Sequence, residues 1–269
     1  MSIPSLRALA AALVLSLRQQ VRGWRLIVLG LLFLIPGALA TMVSLTMPHR
    51  RTLEAQELAM AFIYVLMAHA LAPLAALLCA AGVVRDDVED QTLTYLLLRP
   101  VPRWALYAIK LLASMIITIL LTAFFSVATL ALIARLTGDS GNVPLTAQAI
   151  RVAAIFSVTQ VAYCGLFGVL GLLMRRSLLV GVAYIIIFEG LLASFDTLAR
   201  KLTVMYYFRV LVLRGLNPSQ GKSWKIDLAT APSAAHCAWT LLIAGLVFAV
   251  IGAIIFASRE FRMKTPEGE

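Results

Sequence analysis

Residues 85–110 read RDDVEDQTLTYLLLRPVPRWALYAIK and form the longest polar interruption in the first half of a very apolar chain. Asp86 and Glu89 have the spacing of a capping box, in which an N-cap acceptor is followed three residues later by an acid. Asp87 and Asp90 fall in the same predicted first turn, where a helix dipole favours negative charge. The stretch therefore predicts the start of a helix at its acidic end.

The second half of this stretch predicts where the helix ends. Leu93, Leu96 and Leu97 fall at i, i+3 and i+4, which gives the helix one apolar face. The residue before Pro100 is disfavoured in the α region, and Pro102 suits the first position of a new helix. We expect a short amphipathic helix, a sharp break, and then a long apolar helix.

The composition of the whole chain places it in a membrane. Hydrophobic residues make up 61% of the 269 residues and charged residues only 13%, with a mean hydropathy of +0.93. A soluble domain carries about 25% charged residues. The net charge of +10 would suggest nucleic acid in a soluble protein. Here the arginines flank apolar runs and meet anionic lipid headgroups instead, so the predicted contact is the lipid bilayer and not nucleic acid.

Six apolar runs are candidates for membrane spans, because a spanning helix needs about 20 apolar residues. The predicted spans cover residues 26–47, 58–84, 105–134, 149–174, 178–195 and 237–258. The whole chain, residues 1–269, is predicted to be one transmembrane domain of the all-α class. Most basic residues outside the segment between spans five and six flank one side, which predicts a multi-pass protein with both termini cytoplasmic.

Two stretches outside the spans are amphipathic. Residues 1–25 place their arginines on one face and their leucines on another, which predicts a helix lying in the cytoplasmic interface. A secretory signal is the rival, because residues 38–40 read ALA, but the apolar run continues past that point. Residues 196–236 mix basic and apolar positions, which predicts short amphipathic helices between spans five and six, with a re-entrant path as an open alternative.

The 85–110 stretch resembles the first cytoplasmic loop of ABC-2 type permeases, the membrane subunits of ATP-binding-cassette exporters. The resemblance rests on the acid cluster, Thr92, the run YLLLRPVPRW and Lys110. It implies that Arg85–Leu98 is a coupling helix seated on a separate cytoplasmic ATP-binding cassette subunit, and that residues 1–25 form an elbow helix. A second permease chain, identical or related, would complete the path in the cell inner membrane. The residues that would dock or brace the coupling helix are Asp86, Asp87, Glu89, Asp90, Thr92, Tyr95, Arg99 and Arg103.

One acid and one histidine fall inside predicted spans, namely Glu189 and His69. A carboxylate at that depth costs at least about 2.5 kcal/mol if it is unpaired, so Glu189 needs a partner. Two interpretations stay open: it lies on the translocation route, or it bonds to an Arg, Ser or Thr of the segment that follows. For His69, a bond to a neighbouring helix is favoured over a soft-metal path with Met60 and Met67. We predict neither a metal nor a cofactor.

No motif in the sequence supplies energy or covalent chemistry. Gly215–Ser223 reads GLNPSQGKS, but five residues separate its glycines where a phosphate-binding loop needs four. HExxH, GxSxG and CxxC motifs are also absent. The resemblance to ABC-2 permeases implies that the ATPase is a separate subunit. The alternatives are an ATP-independent secondary transporter or channel, and an intramembrane enzyme or assembly subunit with Glu189 and His69 as an acid–base pair.

Overall fold

The computed structural model describes residues 6–46, 59–83, 102–137, 144–174, 176–191, 198–216, 224 and 226–258. Within these ranges every regular element is helical. The α-helices are α1 Leu6–Arg22, α2 Trp24–Thr46, α3 Ala72–Ala80, α4 Arg103–Thr137, α5 Leu145–Leu173, α6 Ser177–Tyr184, α7 Val204–Gly215 and α8 Ala234–Ser258. Two π-helical segments extend them: Met60–Leu71 leads into α3, and Ile185–Leu191 continues α6. A 3₁₀ turn, Leu198–Leu202, lies shortly before α7.

Five of these helices are long and apolar enough to cross a membrane. They are Trp24–Val43, Ala61–Ala80, Arg103–Leu136, Leu145–Leu173 and Ala234–Ser258. The prediction of an all-helical membrane protein is therefore confirmed. Of the fifth predicted span, the described residues form the shorter apolar helix Ser177–Leu191, and residues 192–195 lie outside the described residues. At about 1.5 Å per residue this described part alone is shorter than a hydrocarbon core of about 30 Å.

Glycines on α5 bring two neighbouring helices to close approach. A Cβ atom on Gly165 would lie 2.5 Å from the carbonyl oxygen of Gly245 on α8. A Cβ on Gly171 would lie 2.5 Å from the carbonyl oxygen of Ala81, just after α3. Only residues without a side chain permit such contacts, which is how small residues drive helix association in lipid. Gly165, Gly168 and Gly171 are spaced by three along α5, and this spacing by itself predicts close approach of a neighbouring helix.

A tyrosine wedge fills the gap between α4, α5 and α8. Tyr107 is 1% exposed and its ring stacks on Phe256 with 6.0 Å between centroids. Its hydroxyl occupies the space beside Gly168, where an added Cβ would lie 2.8 Å away, and also abuts Gly252. The two glycines are therefore needed to admit the tyrosine ring.

Helix α4 buries a line of hydroxyl side chains within the bundle. The fully buried members are Ser114, Thr118, Thr122 and Ser126. Each donates to a carbonyl oxygen three or four residues earlier on its own helix, at 2.8–3.2 Å. The hydroxyls are thus satisfied without water. Gln20 of α1 also donates to the Ser114 hydroxyl at 2.8 Å, which ties the N-terminal helix to α4.

Candidate functional site

The ionisable residues predicted for the membrane region lie on the two π-helical segments. Glu189 belongs to Ile185–Leu191 and none of its surface is exposed. His69 belongs to Met60–Leu71, and the two segments contact each other. π-helices are rare and are frequently found at functional sites. The candidate site is therefore built where two helices depart from regular α geometry.

The carboxylate of Glu189 caps the first turn of α7. The Tyr184 hydroxyl donates to Oε1 at 3.2 Å, and the Met205 backbone N–H donates to Oε2 at 2.9 Å. The backbone N–H of Val204 bonds to the same carboxylate, and the Thr203 side chain caps this helix end as well. The first N–H groups of a helix have no partner within it, and the helix dipole favours negative charge there. Glu189 therefore serves as a cap supplied by a different helix.

Two further side chains complete the surroundings of this carboxylate. The hydroxyl of buried Tyr163 on α5 interacts with Glu189, and the Arg209 guanidinium attracts it electrostatically. A buried charge without such partners would cost several kcal/mol. Protein groups thus meet the requirement for a partner that the sequence imposed. They are backbone N–H groups and the Tyr184 hydroxyl, together with the positive charge of Arg209.

His69 is fixed between its own helix and α7. Its Nδ1 lies 3.1 Å from the Val65 carbonyl oxygen, and its Nε2 lies 2.6 Å from Nη2 of Arg209. Arginine can only donate, so Nε2 accepts, and Nδ1 carries the proton that is donated to Val65. The imidazole is therefore neutral. Among the described residues, no group of three His, Cys, Asp or Glu side chains can hold a metal ion.

Arg209, which bonds to His69, also contacts Trp224. Its guanidinium carbon lies 5.9 Å from the ring centre of Trp224, within the range of a cation–π interaction. Arginine stays charged in proteins. The site therefore contains a permanent cation that contacts the neutral histidine and attracts the capped acid.

The course of α7 follows from three contacts with α5. Glu189 and the first turn of α7 lie near Tyr163. Farther along, the rings of Phe208 and Phe156 are 5.3 Å apart, and Arg151 donates to the Gly215 carbonyl at 3.0 Å. Position numbers fall along α5 as they rise along α7, so the two helices run antiparallel. The N-terminus of α7 therefore lies beside the middle of α5, and its C-terminus lies near the start of α5.

Arg214, near the C-terminal end of α7, bonds to the turn that precedes α8. Arg214 donates from Nε to the Pro232 carbonyl at 2.8 Å. It also donates from Nη2 to the carbonyls of Leu228 and Ala231 at 2.9 Å and 2.6 Å. The planar fork of donors suits several carbonyl acceptors at once. This contact set attaches the turn before α8 to the end of α7.

Most of the predicted coupling residues lie outside the described residues. They are Asp86, Asp87, Glu89, Asp90, Thr92, Tyr95 and Arg99. Arg103 is described: it is the first residue of α4 and is exposed. His69 and Glu189 both hydrogen-bond to residues of α7, but not to each other. The docking role of the acidic stretch therefore stays a prediction.

Sequence reasoning missed Arg209 and Tyr184 as members of the site. A signal for Arg209 was present, because it is a lone cation in the apolar run VMYYFRVLVL, which follows a lone acid in the preceding apolar helix. Pairing the two would have followed from the cost of burying either one alone. Tyr184 carried no comparable signal, because apolar helices commonly contain tyrosine.

Comparisons with known proteins agree with the architecture. A family model described as ABC-2 family transporter protein matches residues 13–261. The match includes all the membrane helices and the polar stretch between α3 and α4. No curated protein gives a significant match to the chain.

Proposed function

The chain belongs to the ABC-2 family of transporter proteins, and from that premise we propose that it is the permease subunit of an exporter driven by a separate ATP-binding cassette subunit. The observation that carries the proposal is the family match across nearly the whole chain. The lack of a complete phosphate-binding loop in the sequence supports a separate ATPase. Export, as opposed to import, follows the resemblance to exporter permeases.

The proposed layout has six crossings, of which one is interrupted. The first part of this crossing is α6 with its π-helical extension, Ser177–Leu191, and the second is α7. At about 1.5 Å per residue the two parts together are long enough for a hydrocarbon core of about 30 Å. The antiparallel course of α7 beside α5 supports this arrangement. With six crossings both termini lie on the same side of the inner membrane. The distribution of basic residues makes this the cytoplasmic side.

The proposed contact with the ATPase is the acidic stretch that joins the second and third crossings. Residues 85–98 would form a coupling helix that seats in a groove of the cassette subunit. Its acids, together with Thr92, Tyr95, Arg99 and Arg103, would dock or brace it. A second permease chain would face the first across the translocation path. ATP-driven closure of the cassette subunits would move both coupling helices and, through them, the spans.

The test is a charge reversal at the proposed contact. The tagged chain is purified from its native membranes, and the co-purified ATP-binding protein and its ATPase activity are measured. The double variant Glu89→Lys with Asp90→Lys is expected to lose at least about 90% of both, because reversal of two charges opposes docking. Asp139→Lys, in the predicted loop on the opposite side, serves as the control and should retain both. Unchanged association in the double variant would refute the coupling assignment.

One observation favours the alternative of a transporter that needs no ATPase. An interrupted crossing with a helix N-terminus at mid-depth is a feature of many secondary transporters, which bind coupling ions there. In this chain the N-terminus of α7 is already occupied by Glu189, which argues against an ion site. Gradient-driven uptake by the purified chain in vesicles, without ATP, would decide for the alternative.

A further inference from the structure

Helix α7 is packed in the apolar core, and hydrogen bonds also join it to the π-helical segments of two different crossings. At its N-terminus, the Met205 backbone N–H bonds to Glu189 of the segment Ile185–Leu191. Four residues later, about one helical turn along α7, Arg209 bonds to His69 of the segment Met60–Leu71. Both anchors therefore lie on π-helical segments, and α7 joins them.

The two attachments differ in their chemistry. The Glu189 contact is a helix cap shared among backbone N–H groups and tyrosine, so it does not depend on any one side chain of α7. The contact between Arg209 and His69 is a single side-chain bond across 140 positions of sequence. It requires an acceptor at Nε2 of the histidine, and a neutral ring provides that acceptor. This second attachment is therefore specific to two side chains.

We propose that Arg209 and His69 are positioning residues that clamp the second crossing to α7, the second part of the interrupted crossing. The clamp would keep α7 beside the translocation path, and this part of the inference rests on the proposed transport function. Along the chain, the second crossing is followed by the proposed coupling helix at residues 85–98, whereas α7 follows Glu189. Movement of the second crossing is thereby delivered to α7 through the bond between Arg209 and His69.

The experiment measures hydrogen–deuterium exchange of the full-length chain in lipid nanodiscs, without any partner. His69→Leu removes the acceptor, whereas His69→Gln places a carbonyl oxygen near the position of Nε2. We expect amides of residues 204–215 to exchange about tenfold faster in His69→Leu, as loss of a hydrogen bond to a charged group implies. In His69→Gln the exchange should stay within about twofold of the unchanged chain. His236→Leu, at an exposed histidine at the start of α8, is the matched control.

A second variant keeps the test valid if His69→Leu does not fold. The double variant His69→Leu with Arg209→Met also removes the guanidinium, so no buried cation is left beside an apolar side chain. It should show the same faster exchange of α7. Unchanged exchange in both forms, or equal acceleration in His69→Gln and His69→Leu, would overturn the clamp. Because no ATPase is present, a failure here is separate from a failure of the coupling assignment.

Discussion

Two regions of this protein hold helices together by opposite means. Around α5, glycines let backbones touch, and the contacts of Gly165 and Gly171 involve carbonyl oxygens of α8 and of the end of α3. Around α7, a few polar groups join segments that are far apart in sequence, with Glu189 and His69 as the anchors. In lipid, where apolar burial does not drive helices together, close packing and buried hydrogen bonds are the available alternatives. The comparison indicates that glycine contacts set the packing around α5, whereas buried polar contacts help to position α7 within the same apolar core.

The largest effect should come from enlarging a contact glycine. Gly165→Leu would force a side chain into the Gly245 carbonyl, so α5 and α8 would have to separate. We expect a loss of at least about 3 kcal/mol, seen as a fall in the apparent melting temperature or as loss of monodisperse protein. Gly30→Leu is the control, because an added Cβ there has no atom within 4 Å. Equal behaviour of the two variants would contradict the packing assigned to α5.

The next largest loss of stability is expected at Glu189, the buried acid of the polar region around α7. Glu189→Leu removes the acceptor for the first N–H groups of α7 and for the Tyr184 hydroxyl. An unpaired buried donor costs about 1–3 kcal/mol, so we expect a loss of about 2–3 kcal/mol in stability. Asp227→Leu, at an exposed turn, is a control for removing an acid and should cost less. A fully stable Glu189→Leu variant would show that α7 does not depend on its cap.

A smaller effect is expected at the far end of α7. Arg214→Lys keeps the charge but cannot reach the carbonyls of Pro232, Leu228 and Ala231 together. We expect a loss of about 1 kcal/mol and faster exchange of the turn at residues 226–233. Arg200→Lys, which changes an arginine near the other end of α7, provides the comparison. If the turn is unaffected by Arg214→Lys, the arginine does not organise it.

The smallest effect is expected at Tyr107, where removal of the hydroxyl alone can be compared with removal of the whole ring. The Tyr107 hydroxyl is buried between Gly168 and Gly252 and has no hydrogen-bond partner among the described residues. Tyr107→Phe should therefore change the stability by less than about 0.5 kcal/mol, whereas Tyr107→Ala should cost about 3 kcal/mol by opening a cavity. Both are measured as shifts in the apparent melting temperature. A large loss in Tyr107→Phe would mean that the hydroxyl has a structural partner.

The same two regions differ in how far the sequence could predict them. Close approach at glycines 165, 168 and 171 follows from their spacing on one helix, which is local information. The need of Glu189 for a partner also followed, because burial of a lone carboxylate is costly. Its actual partners could not be predicted, since they depend on the path of the chain from residue 191 to residue 204. The bond between His69 and Arg209 likewise depends on tertiary packing, and the π-helical geometry leaves no periodicity that distinguishes it in an apolar run.

The most direct measurement of the central claim is a photo-crosslink from position 95 in intact cells. A photoreactive amino acid replaces Tyr95, and the adducts are identified by mass spectrometry. We predict an adduct with an ATP-binding cassette protein, and its loss when Glu89 and Asp90 are changed to lysine. Absence of any such adduct, together with labelling of a Tyr95→Cys variant by a membrane-impermeant reagent from outside the cell, would contradict the assignment of this chain as an ATPase-driven permease.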